Sequence, residues 1–294
     1  MAQTESQNRS VICDSLLRDF MRRMVVCLFA ILLTSNLAGC LEDDSDEEEG
    51  PDGDSGFWSP PLETTWQWQL SGELNRSHDV VMYDIDLFET DSDNITTLQS
   101  EGRVVICYFS AGSYEDFRSD SSEFPEEAKG DPLDEWEGEW WLDFRIAAVR
   151  EIMQNRLDLA VEKGCDGVEP DNMDGYINDN GLGLSASDQL NYNRFIATEA
   201  HARNLSVGLK NDLDQIPQLV NYYDWALNEE CASYNECDSY EPFITAGKAV
   251  FHVEYVDEES EGQELADSLC NSDEIEGLST LIKTWDLTAW VITC

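Results

Sequence analysis

Between Thr65 and Tyr255 the chain alternates short segments rich in β-branched and aromatic residues with longer stretches of helical character, and this alternation limits the possible folds most severely. The strand candidates are TWQWQLSG from Thr65, VVMYDID from Val80, RVVICYFSAG from Arg103, WWLDF from Trp140, CDGVEPDN from Cys165, SVGLKND from Ser206, YDWALNEE from Tyr223 and AVFHVEY from Ala249. Amphipathic stretches from Arg145 to Lys163, Ser187 to Asn204 and Leu265 to Lys283 read as helices. Eight strands separated by helices predict an α/β fold, a single (β/α)8 barrel of the TIM type, irregular where its early connections are short. No G-x-G-x-x-G follows a first strand and no G-x-x-x-x-G-K-[ST] occurs, so nucleotide-binding folds lose their main support.

A barrel of this kind builds its site at the C-terminal ends of its strands. Those ends read Asp84-Ile85-Asp86, Ser110-Ala111-Gly112, Asp143, Glu169-Pro170-Asp171-Asn172, Lys210-Asn211-Asp212, Asn228-Glu229-Glu230 and Glu254-Tyr255. Carboxylates recur at the same end of strand after strand, with aromatics beside them: Trp66, Trp68, Tyr83, Tyr108, Trp140, Trp141, Tyr176, Trp225 and Tyr255. Aromatic faces stack on sugar C–H faces and carboxylates accept from sugar hydroxyls, so the combination reads as a sugar cleft. Glycoside hydrolysis needs two carboxyl groups flanking the scissile bond. The rivals are weaker. Only His78, His201 and His252 are present and no G-x-S-x-G elbow occurs, which disfavours acyl transfer. H-E-x-x-H and C-x-x-C pairs are absent, so neither a metal site nor a cofactor is expected, with a carboxylate-only magnesium or calcium site as the minor alternative.

Upstream of the barrel, MRRMVVCLFAILLTSNLAGC from Met21 has a basic n-region, an apolar run from Val25 to Leu33 and a small-residue site ending in Cys40. It resembles the lipobox of bacterial lipoproteins, so residues 1–39 are expected to be removed and Cys40 lipidated. That places the protein in the cell envelope, anchored to a membrane. Leu41 after the anchor, where an aspartate would favour the inner membrane, leans the expectation towards the outer membrane or cell surface. Residues 40–57, with LEDDSDEEEGPDGDSG from Leu41, read as an acidic, self-repelling tether, and residues 58–294 as the barrel. The full chain carries a formal charge of −45. Losing Glu5, Asp14 and Asp19 against Arg9, Arg18, Arg22 and Arg23 makes the mature chain one unit more negative still. Such acidity disfavours nucleic acid and favours a cationic partner or a salty habitat. Export permits disulfides. Cys231 and Cys237 are spaced to staple one loop and Cys270 to tie back Cys294, whereas Cys107 and Cys165, within apolar strand patterns, read as buried thiols.

Taken in order, WQWQLSG, VICYFSAGSYEDFR, WWLDFR, GVEPDNMDGY, GLKND, WALNEECASYNECD and HVEY resemble glycoside hydrolase family 114, the endo-α-1,4-polygalactosaminidases, from about Thr65 to Tyr255. The resemblance implies a monomeric (β/α)8 enzyme that cleaves α-1,4-linked, galactosamine-rich and therefore cationic polysaccharide. It implies Asp171 as the catalytic nucleophile and Glu229 as its acid/base partner, with Glu254 in reserve because it too ends a strand within a matching motif. Substrate-binding candidates are Trp68, Tyr83, Asp84, Tyr108, Asp143, Glu169, Asn172, Asp174, Lys210, Asp212 and Tyr255. The position of Cys231 and Cys237 within NEECASYNECD supports a disulfide that fixes the loop after Glu229. A non-catalytic, carbohydrate-capturing lipoprotein on the same fold is the alternative from another class.

Overall fold

The structure is a computed structural model that describes residues 56–294. Cys40, the leader and most of the tether lie outside the described residues. Among the described residues no helix is long and apolar enough to cross a membrane.

Among the described residues twelve strands form: β1 (Trp66–Gln69), β2 (Met82–Asp86), β3 (Val104–Ser110), β4 (Ser113–Glu115), β5 (Lys129–Pro132), β6 (Glu139–Leu142), β7 (Gly167–Asp171), β8 (Ser206–Lys210), β9 (Trp225–Glu229), β10 (Val250–Val256), β11 (Ser279–Thr284) and β12 (Ile292–Thr293). β1, β2, β3, β7, β8, β9, β10 and β11 pair in parallel in that order. They are the strands of a (β/α)8 barrel, and β12 adds antiparallel to β11. At the seam between β1 and the end of the chain, Trp66 Nε1 donates to Ser279 O (2.8 Å), Gln67 Nε2 to Ala289 O (2.9 Å) and Leu70 N to Leu287 O (3.0 Å).

Two strand readings change. WWLDF contributes β6, which joins β4 and β5 in a separate antiparallel sheet instead of the barrel. The eighth barrel strand is β11, inside the stretch read as one helix from Leu265 to Lys283. That helix ends at Leu269. The spacing of Leu278, Leu281 and Ile282 suits a helical stripe as well as a strand, and Gly277 at φ 82° breaks the chain between the two.

The longer helices are α1 (Ser92–Ser100), α2 (Ala147–Lys163) and α3 (Ala186–His201), followed by α4 (Ile216–Leu219), α5 (Cys231–Tyr234), α6 (Glu241–Thr245) and α7 (Gly262–Leu269). α3 starts on a capping box in which Ser185 and Asp188 satisfy each other's backbone N–H groups. α2 stops at Gly164, whose left-handed conformation closes the last turn.

The period-2 alternation of each strand divides the apolar residues between two cores. Tyr83, Ile85, Val105, Cys107, Phe109, Val168, Val207 and Leu209 face outwards and pack with residues of α1, α2 and α3. Their neighbours Trp66, Trp68, Met82, Ile106, Trp225, Leu227, Phe251, Val253 and Leu281 fill the lumen. Gly208 leaves room there for Trp225, whose ring would lie 2.2 Å from an added Cβ. The outer core also holds a Cys107–Cys165 disulfide, so these two are bonded, not free thiols: β3 and the turn before β7 are brought side by side on the outer face. Cys231–Cys237 and Cys270–Cys294 pair as expected.

Candidate active site

Three neighbouring lumen positions at the C-terminal ends of β7, β8 and β9 deliver Asp171, Lys210 and Glu229 to one point. Lys210 Nζ lies 2.9 Å from Asp171 Oδ1, 3.1 Å from Glu229 Oε2 and 3.0 Å from Glu169 Oε1. The lysine side chain is only 1% exposed, while those of Asp171 and Glu229 are 19% and 26% exposed. The cation is therefore beneath, and the two carboxylates face the solvent above it. Burial works against the charge on Lys210, but Asp171, Glu169 and Glu229 together outweigh it and hold the ammonium well above its ordinary range.

Each upper carboxylate is further fixed. Asp171 accepts from Tyr108 Oη (3.0 Å) and from the Asn172 backbone N–H (2.7 Å). Asn172 stands at φ 59° and donates from Nδ2 to Ser110 Oγ (3.0 Å). Its backbone passes so close to Gly112 that an added Cβ there would lie 1.8 Å from Asn172 O, which is why that position takes glycine. Glu229 accepts from Tyr255 Oη and from Asn211 Nδ2 (3.2 Å). Asn211 also accepts from the Glu229 backbone N–H (3.0 Å) and holds a left-handed conformation at φ 47°. Asparagine tolerates that conformation better than most residues.

These groups form the floor of a cleft of about 950 Å³ lined by Trp68, Tyr108, Asp171, Asn172, Asp174, Lys210, Glu229 and Tyr255 among others. Its walls carry groups that sequence reasoning did not single out. Glu115, Arg118 and Glu139 come from the β4–β6 excursion. Arg118 binds Asp86 and Glu115, each at 2.8 Å, and so ties the excursion to the end of β2. Phe117, Trp136, Ile177, Tyr234 and Trp285 are exposed apolar side chains that also line the cleft. Trp285 stacks on Tyr255 at 4.1 Å and so supports the hydroxyl that binds Glu229. Trp136 had one sequence signal: it is surrounded by DE and EGE, too polar a setting for a core tryptophan.

Other candidates are placed elsewhere. Tyr83 faces the outer core and donates to His78 O. Asp143 sits beside Arg145 (2.7 Å), whose hydrogen bonds lower its pKa, and it does not line the cleft. Glu254 has the opposite parity to Tyr255 on β10 and points out of the lumen. It accepts from Ala232 N (2.9 Å), Ser233 N (3.2 Å) and Ser233 Oγ (2.6 Å), and lies 3.0 Å from His252 Nε2. Burial opposes its charge, yet the His252 and Ser233 hydrogen bonds prevail and its pKa is lowered. Glu254 thus anchors the start of α5 and is 2% exposed. Among the expected rim aromatics, Trp66 and Trp225 are lumen core.

Glu169, Asp84 and Asp212 are buried and do not line the cleft. Burial, with Asp171 and Glu229 nearby, pushes Glu169 up to about 8 in spite of Lys210. Burial and Asp174 push Asp212 up to about 8, and burial and Asp171 push Asp174 up to about 6. Glu139 is raised to about 7 by burial and by Glu115. Among the described residues, Cys231, Cys237 and His252 are close enough to suggest a metal site, but the two sulfurs are bonded to each other and are not available as ligands.

Comparison with known proteins agrees with this geometry. The chain is similar to Aspergillus fumigatus Ega3, whose crystal structure is a complex with galactosamine. Identity is 48%, the match covers 81% of this chain and 97% of that one, and the TM-score is 0.78. The glycoside hydrolase domain of PelA from Pseudomonas aeruginosa shares the fold at 13% identity, with 80% and 99% coverage and a TM-score of 0.62. No curated protein sequence matches. The model of glycoside-hydrolase family GH114 matches residues 48–294, a span that includes every barrel strand and the paired carboxylates. The chain therefore belongs to glycoside-hydrolase family GH114 and is a glycoside hydrolase.

Proposed function

We propose that the protein hydrolyses α-1,4-galactosaminidic bonds within a cationic, galactosamine-rich polysaccharide, with Asp171 as nucleophile and Glu229 as acid/base. The observation that carries this reading is the pair of partly exposed carboxylates held over one buried ammonium at the floor of an aromatic, acidic cleft. Because Asp171 Oδ1 and Glu229 Oε2 each lie about 3 Å from the same nitrogen, they are within about 6 Å of each other. A separation of no more than about 6 Å is below the roughly 6.5–9.5 Å that an inverting enzyme needs to admit a water and is compatible with the roughly 5–5.5 Å of retaining enzymes.

In the first step Asp171 attacks the anomeric carbon as the bond to the leaving oxygen breaks, and protonated Glu229 gives that oxygen its proton. In the second, Glu229 takes a proton from water, whose oxygen attacks the anomeric carbon and releases Asp171. Lys210 Nζ, 2.9 Å from Asp171 Oδ1, positions that carboxylate for attack. Glu254 is occupied in anchoring α5, which leaves Glu229 as the partner. The substrate class is supported by the likeness to Ega3 bound to galactosamine and by an overall charge that concentrates ammonium-bearing chains. The lipobox reading of Cys40 adds attachment to the envelope surface through the acidic tether.

Incubating residues 58–294 with α-1,4-galactosamine polymer, beside an Asp171→Asn control, tests the reading by mass spectrometry of the products. Oligomers released by the unmodified protein and not by the variant are expected. Polymer that stays bound and uncut would replace hydrolysis with carbohydrate capture.

A further inference from the structure

Asp84 is fully buried at the middle of β2, and neither of its carboxyl oxygens meets a donor. Its parallel-strand partners are Trp68 on β1 and Ile106 on β3, and the lumen residues there are apolar. A bare carboxylate in such a place is strongly disfavoured. Trp68, the strand partner of Asp84, donates from Nε1 to Glu169 Oε2 at 3.1 Å and so sets the Glu169 carboxyl beside this position, and the charged groups around the two are Lys210, Asp171 and Glu229. Two carboxyls in contact at a buried site share a proton, because both cannot ionise together.

The hydrogen bonds decide which of the two carries it. Glu169 accepts from Lys210 Nζ at 3.0 Å and from Trp68 Nε1 at 3.1 Å, two donors that favour its anion. Asp84 has none. We propose that Asp84 is a positioning residue, held as the neutral acid and donating its proton to Glu169, so that Lys210 is left to serve Asp171 and Glu229. Burial first, and Glu169 second, also push Asp84 well above the carboxylate range.

The consequence concerns how the Lys210 charge is divided. With Glu169 capped from below, its pull on the ammonium is weakened and the cation stays at the level of the exposed pair. With Asp84 removed, Glu169 keeps its full charge and competes for Lys210 with the carboxylates above. This assignment of roles rests on the proposed reaction of Asp171 and Glu229, but the proton on Asp84 does not.

The test therefore has a readout apart from activity. Infrared difference spectra of the unmodified protein and Asp84→Asn, at neutral pH, should show the carbonyl stretch of a protonated carboxyl that the variant lacks. Loss of no such band overturns the proposal. In kinetics on the galactosamine polymer, Asp84→Ala should lower kcat by about tenfold or more with KM little changed, and Asp84→Asn, which keeps a neutral donor, should recover turnover to within about threefold. A folded Asp84→Asn as impaired as Asp84→Ala, or a fully active Asp84→Ala, overturns the positioning role. If Asp84→Ala does not fold, the spectrum and Asp84→Asn decide. Absence of hydrolysis by the unmodified protein, with the infrared band present, would sink the proposed reaction and leave the proton on Asp84 standing.

Discussion

Replacing Lys210 by methionine keeps most of the apolar stem and removes the ammonium, which also lies 4.8 Å from the Trp68 ring centroid. Three carboxylates lose an ammonium at 2.9, 3.0 and 3.1 Å. At an effective dielectric of about 20, each such contact is worth about 5 kcal/mol in bare Coulomb energy. Desolvation of the lysine cancels much of this, and removal of one partner from a buried ion pair costs about 3–5 kcal/mol in practice. At about 2–4 °C per kcal/mol for a domain of this size, the variant should melt about 6–20 °C below the parent at pH 8. The loss should shrink towards pH 5. Lys210 holds the Glu169 pKa down against burial, so without the cation that acid rises further above its unfolded value and the folded variant binds a proton that the unfolded chain has released. Its stability deficit is then small near the unfolded carboxylate range and grows as pH rises. Turnover should fall by at least about 100-fold, because the proposed nucleophile Asp171 and its proposed partner Glu229 both lose the contact that positions them. Thermal melts at several pH values and polymer hydrolysis assays read both effects. A melting curve at pH 8 that overlays the parent, or turnover within about threefold, would refute the idea that one buried cation holds the reacting pair.

Glu229→Gln should lower turnover by about 10²–10⁴-fold with the fold retained, and near-normal turnover would move the acid/base role elsewhere. Replacing Cys107 and Cys165 by alanine opens a crosslink spanning 58 residues, against 6 for Cys231 and Cys237. Chain entropy puts the two losses at about 4 and about 2 kcal/mol, so chemical denaturation should rank the first pair of substitutions as the costlier; the reverse order would refute the entropic account. Trp285→Phe retains the stack under Tyr255 but shortens the cleft wall, so it should raise KM for long polymer more than it lowers kcat; equal loss in both would place its role in the chemistry instead. Raised pKa values at Glu139 (about 7) and Asp212 (about 8) mean that the folded state holds protons the unfolded chain releases above its ordinary carboxylate range. Stability from these groups is greatest below the unfolded values and declines as pH rises through about 7–8, so melting temperature should decrease across pH 5 to 8, and an increase would contradict these assignments.

Fold class and the level of the site were legible in the chain itself. Strand-length apolar runs ending in carboxylates repeat too regularly for anything but parallel strands with a common functional end, and a strand's C-terminus is fixed by local sequence. Parity on each strand was also legible in principle: Tyr255 and Glu254 cannot face the same way, nor can Asp84 and Tyr83. What the sequence left open was the face that turns inwards, because the lumen and the helix-facing core of this barrel are both apolar. Only closure of the sheet put Trp66, Trp225 and Phe251 inside and sent Glu254 outwards to anchor α5. Tertiary structure likewise decided that Trp140 belongs to an antiparallel excursion, that Ser279–Thr284 completes the barrel, and that Cys107 meets Cys165. It also decided that Lys210 is buried beneath two carboxylates from neighbouring strands. The physical reason is common to all of these. Periodicity and end-chemistry are properties of one segment, whereas the partner, the inward face and the shared proton depend on which segments pack together.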